Sequence, residues 1–159
     1  MRALLPPEIR ETLVSALTTA GPREIGGILM GEHVGADTFR IASITVQTRG
    51  GAFASFVRLV QYVVRPLAEF FCKTDHQYTR FNYLGEWHSH HSFDLGSSSA
   101  DRSTMRELVE DPAVGANFAI LLIVRLRAKT ELEGRITVFL PGGRTETGHL
   151  VMEKAGTQR

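Results

Sequence analysis

Residues 85–101 read GEWHSHHSFDLGSSSAD, which gathers three of the chain's six histidines into four positions. Imidazoles and carboxylates hold divalent metals at neutral pH. Side chains alternate along a strand, so His88 and His90 share one face while Ser89 and His91 take the other. Two imidazoles so placed at a strand end can chelate one ion. Zinc held for catalysis takes three protein ligands and a water, and the nearest downstream carboxylates are Asp94 and Asp101. Ser98 and Asp101 also have a purely structural reading. S-x-x-D ahead of Met105, Leu108 and Val109 is a helix capping box, with Ser98 as N-cap and Asp101 as its reciprocal partner. The two readings are compatible, because a carboxylate in a first helical turn can face a metal. An H-x-H pair is by itself a weak signal.

The elements that must position these groups follow from pattern. Pro6-Pro7 before EIRETLVSALTTAG predicts a helix ending before Gly21-Pro22, with Ile9, Leu13, Ala16 and Leu17 on its buried face. EIGGILMGEH and residues 38–46 (TFRIASITV) predict two strands, joined as a hairpin across residues 33–37 with Gly35 in the turn. Residues 48–55 read as a flexible connection. Residues 59–79 read as a helix with Leu59, Val60, Val63, Val64, Leu67, Phe70 and Phe71 on its apolar face, kinked or split at Pro66. Residues 82–88 form the next strand, residues 101–110 a short helix stopped by Asp111-Pro112, and residues 118–126 (FAILLIVRL) a central strand. Residues 132–140 and 147–152 complete the sheet around a PGGR turn, and the last residues, EKAGTQR, are expected to fray. The expectation is one α/β or α+β layered domain, 1–159 with its core over about 6–152, built on a mixed, mostly antiparallel sheet flanked by helices.

Composition narrows the function classes. The 159 residues suit one domain with a single core, and 43% hydrophobic with 22% charged residues is ordinary for a globular protein. A net charge of +1 gives no basic surface for nucleic acid or a membrane. No segment is apolar enough to span a bilayer, and MRALLPPEIRETL is not a secretory signal, so a cytoplasmic protein is expected. The lone cysteine, Cys72, excludes a disulfide framework and a CxxC clip. Any zinc ligands must then be His, Asp or Glu. Cys72 lies in LAEFFC and reads as a buried, inert thiol.

The pattern resembles the JAMM (MPN+/JAB) metalloprotease family, whose motif is an upstream glutamate, then H-[ST]-H-P, then S-x-x-D. His88-Ser89-His90 matches the first block, and Ser98 and Asp101 match the second at the expected spacing. Glu24, in PREIGGILMG, matches the glutamate. The resemblance extends over the order of elements from about residue 6 to 126. One position departs: His91 stands where the family has proline, which leaves the chain after the site less constrained.

The resemblance implies a cytidine-deaminase-like layout of sheet and helices. It implies zinc on His88, His90 and Asp101, Glu24 as general base and Ser98 as hydrogen-bond donor to the oxyanion. Glu86, on the face of His88, is a candidate acceptor for a ligand histidine. His91, facing away, is not expected to ligate. Asp94 is too near His90 for the family spacing and reads as a loop aspartate, Glu32 as the start of a solvated turn, and Trp87 as core. Family members cleave ubiquitin or ubiquitin-like proteins from lysine or from a C-terminal extension. Compact bacterial members with a GEWHSHH-type motif accompany E1-, E2- and ubiquitin-like proteins in antiphage conjugation operons. The implied partners are therefore a ubiquitin-like protein and its conjugates, with E1- and E2-like proteins, the tail held by strand addition at a sheet edge and flanked by residues 48–55. The competing reading is a non-catalytic MPN-type scaffold that binds a partner. Near-neutral charge argues against the DNA-repair branch of the superfamily, and a zinc deaminase would need the P-C-x-x-C ligands that one cysteine cannot supply.

Overall fold

Pro7 opens α1 (Pro7–Ala20) in its first turn, where the missing N–H has no helical partner to lose. Gly21, at φ 61, ends it by donating back to the Leu17 carbonyl at 3.0 Å. Ile9, Leu13, Leu17 and Ala20 form its buried face, with Ala16 partly buried beside them. The computed structural model describes residues 1–47, 60–91, 94–128 and 130–154. The expected connection at residues 48–55, Leu59 and the end of the C-terminal tail lie outside them.

Ahead of α1 runs a strand that the sequence pattern did not reveal, β1 (Arg2–Leu5). After α1 come β2 (Gly26–Gly35), β3 (Thr38–Ile44), α2 (Val60–Lys73), β4 (Phe81–Ser89), α3 (Ser99–Glu110), β5 (Ala119–Arg127), β6 (Glu131–Leu140) and β7 (Arg144–Met152). The β2–β3 hairpin forms as expected, turning through Ala36 and Asp37, as does the β6–β7 hairpin after Leu140.

The strand order is β1-β3-β2-β4-β5-β6-β7, and the sheet closes on itself. The mixed, mostly antiparallel sheet flanked by helices is as expected, while its closure adds to the layered arrangement read from sequence. The closing element is β1, which pairs in parallel with β3 on one side and β7 on the other. Four residues ahead of two prolines carry too little alternation to announce a strand. The β4–β5 pair is also parallel, and the β2–β3, β2–β4, β5–β6 and β6–β7 pairs are antiparallel. Each described strand thus has a neighbour on both sides, although β3 beyond Arg40 pairs with β2 alone.

The principal core joins Leu5, Ile25, Leu29, Ile41, Leu84, Trp87, Ile120, Leu122 and Val138 to the apolar face of α1. On the opposite side of the sheet, Met105 and Val109 of α3 pack on Leu121, Ile123 and Phe139. Phe70 of α2 packs on Ile28 and Met30, with Tyr83 of β4 partly buried against them. α2 and α3 therefore cover neighbouring parts of one sheet face, and β4 runs between them.

Three expectations change here. α2 runs unbroken through Pro66 and stops at Lys73 instead of residue 79, where Asp75 and His76 take φ of 52 and 54. Cys72 is exposed, not buried, because Val63, Leu67, Phe70 and Phe71 form the covered stripe and Cys72 falls outside it. Glu32 belongs to β2 and accepts from Arg80 Nε at 2.8 Å instead of starting a solvated turn. Among the described residues, no helix is long and apolar enough to cross a membrane.

Candidate metal centre

The site begins with an irregularity in β4. Leu29 pairs with Gly85 but Met30 pairs with Tyr83, so β4 carries one extra residue against β2. Gly85 absorbs it at φ 144, where a Cβ would lie 2.0 Å from the Ile120 carbonyl oxygen. The bulge resets the alternation. Leu84 and Trp87, three apart, both enter the principal core, while Tyr83, Glu86 and His88 fall to the side covered by α2 and α3. Trp87 is core, as expected, and its indole N–H donates to the Thr45 carbonyl at 2.9 Å.

His88 and His90 then meet Asp101 of α3. The three offer ligand atoms that all lie within 4.8 Å of one another. His88 Nε2 is 3.1 Å from His90 Nε2 and 3.7 Å from Asp101 Oδ2. Bonds of about 2.0–2.2 Å in a tetrahedron put ligand atoms about 3.3–3.6 Å apart, so these separations suit one small divalent cation. His90 Nδ1 lies 2.6 Å from the Asp94 carbonyl oxygen. A carbonyl can only accept, so Nδ1 carries the proton and Nε2 presents its lone pair to the centre. Burial pushes His88 down to about 4, against the upward pull of Asp101, so its imidazole is neutral at physiological pH.

The capping box exists and serves the same centre. Ser98 Oγ accepts from the Asp101 amide at 3.1 Å, and Asp101 Oδ2 accepts from the Ser98 amide at 2.7 Å. The second bond aims the carboxylate, while the hydroxyl proton of Ser98 remains free to donate. Asp101 is 7% exposed, although its helix begins at the surface.

Glu24 is exposed, one residue before Ile25. Ser89 holds Ile25 at two points: its amide donates to the Ile25 carbonyl at 2.8 Å and its hydroxyl accepts from the Ile25 amide at 3.0 Å. With Gly26 opposite His88, the antiparallel register carries Glu24 to the level of His90. Gly26 keeps this crossing close, since a Cβ there would lie 2.6 Å from the Trp87 carbonyl oxygen.

Glu86 departs from its expected role. It is 3% exposed, and Oε1 accepts from the Tyr83 hydroxyl at 3.4 Å, a long contact. Oε2 has no hydrogen-bond partner among the described residues, so Glu86 does not anchor a ligand histidine. Burial pushes its carboxyl up to about 8; the Tyr83 hydrogen bond opposes this and nearby Asp101 adds to it. His91 is exposed and outside the metal-binding group. Asp94 contributes its carbonyl, a main-chain role that no side-chain pattern announces. The contact of Tyr83 with Glu86 was likewise missed, although Gly85 inside a strand is the signal of the bulge that creates it.

Residues 6–137 match the family described as prokaryotic homologs of the JAB domain. The chain belongs to that family. No curated protein matches this JAB domain. Among solved structures it is similar to the solution structure of protein DSY2949 from Desulfitobacterium hafniense, with a TM-score of 0.63 at 15% identity. That match covers 96% of this JAB domain and 94% of the other chain, and at that identity it speaks for the fold alone.

Proposed function

We propose that this JAB domain is a zinc-dependent isopeptidase or peptidase that removes or processes a ubiquitin-like protein. The observation that carries this reading is the convergence of His88, His90 and Asp101 on one point, with the tautomer of His90 and the aim of Asp101 both fixed by hydrogen bonds. Two imidazoles and an aspartate side chain make a donor set that zinc accepts, leaving room for a water. Zinc bound there would lower the pKa of that water to about 7 and polarise a carbonyl.

The chain's own residues divide the remaining work. Glu24, exposed at the level of His90, takes the proton of the attacking water and returns it to the leaving amine. Ser98, whose oxygen is engaged by the Asp101 amide, turns its O–H toward the oxyanion that develops on the attacked carbonyl. No nucleophilic side chain is needed, and Cys72 is not among the residues that meet at the candidate centre. The substrate is an isopeptide at lysine or a peptide at a C-terminal extension, within a bacterial conjugation system of antiphage type that supplies E1- and E2-like partners.

The test is Glu24→Gln, assayed on a ubiquitin-like protein fused to a C-terminal extension and on its lysine conjugate. Zinc should remain at one per chain by elemental analysis, while cleavage falls about 10²–10⁴-fold. Cleavage at the wild-type rate would remove Glu24 from the mechanism. A wild-type protein that binds the ubiquitin-like partner tightly but cleaves neither substrate would establish the scaffold reading instead.

A further inference from the structure

A hollow of about 480 Å³ opens where β4 ends. Leu17, Thr18 and Gly21 at the end of α1 form one wall, and Leu126 of β5 forms another. Ser89, His90 and His91 close it on the side of the metal centre. His90 thus belongs to both places: its Nε2 lies 3.1 Å from His88 Nε2, and the residue also walls the hollow. Gly21 stands three positions ahead of Glu24, so the hollow borders the Glu24 side of the centre. His91, which departs from the family's proline, lies in its wall and is exposed.

The walls define what fits. Leu17 and Leu126 supply hydrocarbon, and the polar groups beside them are already engaged. The Ser89 hydroxyl accepts from the Ile25 amide at 3.0 Å, the Thr18 hydroxyl donates to the Val14 carbonyl at 2.7 Å, and His90 Nδ1 meets the Asp94 carbonyl at 2.6 Å. Among the described residues, no carboxylate, lysine or arginine lines the hollow. A charged side chain would enter it without a counter-charge, whereas an apolar one only sheds water. We propose that this hollow selects an apolar substrate residue on the leaving side of the scissile bond. The assignment rests on the peptidase reading above, in which Glu24 returns its proton to the leaving amine, so that the leaving segment runs past Glu24 and Gly21. An extended segment advances about 3.3–3.6 Å per residue, which brings about its first three residues within reach. A leucine-sized side chain then lies between Leu17 and Leu126.

The experiment gives the zinc-loaded full-length protein a ubiquitin-like fusion with leucine, glycine or aspartate at each of the first three positions after the scissile bond. At one of these positions leucine should exceed glycine and aspartate at least about tenfold in kcat/KM. Thr18 is exposed and its hydroxyl donates within α1, so Thr18→Arg fills the hollow and leaves the fold intact. It should bring the leucine fusion down to the level of the glycine fusion, with glycine cleavage and zinc content unchanged. Methyl NMR reads the same hollow without catalysis. N-acetyl-leucinamide should shift Leu17 and Leu126 in the wild type and neither in Thr18→Arg, and its aspartate counterpart should shift neither. Failure to cleave any fusion, with the leucinamide shifts present, would overturn the peptidase reading and the leaving-side assignment, while the apolar selectivity stands. Cleavage without a leucine preference, a preference that Thr18→Arg leaves in place, or a wild type without the leucinamide shifts would overturn the pocket alone.

Discussion

Asp94 and Asp101 illustrate how two carboxylates of similar sequence position acquire different work. Asp101 presents its carboxylate to His88, whereas Asp94 meets His90 through its main-chain carbonyl. Asp94→Ala should therefore leave zinc content and cleavage within about twofold of wild type, because the carbonyl survives the substitution. Asp101→Ala should lose zinc, as elemental analysis would show. Ser98 carries two duties that separate by substitution. Ser98→Ala removes the cap, costing about 1 kcal/mol in urea denaturation, and should also lower kcat about 10²–10³-fold as an oxyanion donor is lost. Ser98→Thr keeps the hydroxyl and should retain most of both. The buried pair His88 and Glu86 gives the metal-free protein a distinctive pH profile. His88 sits near 4 against the usual 6.5, so the unfolded chain takes up a proton first and stability falls as pH drops from about 6.5 to 4. Glu86 sits near 8 against the usual 4.5, so the folded protein keeps a proton that the unfolded chain has lost. Its contribution falls as pH rises from about 4.5 to 8. The two slopes oppose each other below about 6.5, and Glu86's slope remains above it. Urea midpoints of chelator-treated protein should decline between pH 6.5 and 8, by at most about 2 kcal/mol, and Glu86→Gln should abolish that decline.

At the level of elements, the meeting of His88, His90 and Asp101 was legible because strand alternation and the capping signature act over neighbouring residues. His88 and His90 on one face, and Ser98 capping the helix of Asp101, need no knowledge of the rest of the chain. What escaped was set by contacts between distant segments. The burial of Glu86 depends on α2 packing over β2 and α3 over β5 and β6 on either side of β4, and Cys72 is exposed because the packing of α2 chose a different stripe. The bulge at Gly85 is the most consequential local feature. Gly85→Ala must take up φ 144 and place a methyl against the Ile120 carbonyl, so it should cost several kcal/mol and lower zinc affinity with it. Gly115→Ala, at φ 62 with open space around it, should cost only about 1 kcal/mol. A denaturant comparison of the two separates steric conflict from backbone preference. Ser89, clamped to Ile25 at both amide and carbonyl, makes β2 and β4 one body where Glu24 leaves the sheet.

For the whole molecule, the order of helices and strands could be read from periodicity, but the closure of the sheet could not. Closure rests on β1, whose four residues are held by partners more than thirty positions away on one side and at the far end of the chain on the other. Hydrophobic pattern reports local geometry, and a short strand defined by its neighbours leaves almost no local trace. Removing residues 1–5 should expose the edges of β3 and β7 and take Ala3 and Leu5 out of the principal core. Loss of the cooperative unfolding transition, measured by circular dichroism, is the expected result. A truncated chain that unfolds at the wild-type denaturant midpoint would show that β1 is dispensable.

The extra residue in β4 also works as a reading frame. Downstream of Gly85, every side chain is displaced by one step relative to an uninterrupted strand, and that displacement turns the imidazoles of His88 and His90 toward α3 and the indole of Trp87 into the interior. Flattening the bulge with every residue retained would exchange the two faces downstream, burying the histidines in hydrocarbon and turning the tryptophan toward α3, whereas deleting Gly85 would set Leu84 opposite Leu29 and keep both faces. What the site depends on is therefore the bulge itself, the one place where six residues from Tyr83 to His88 are fitted against five of β2.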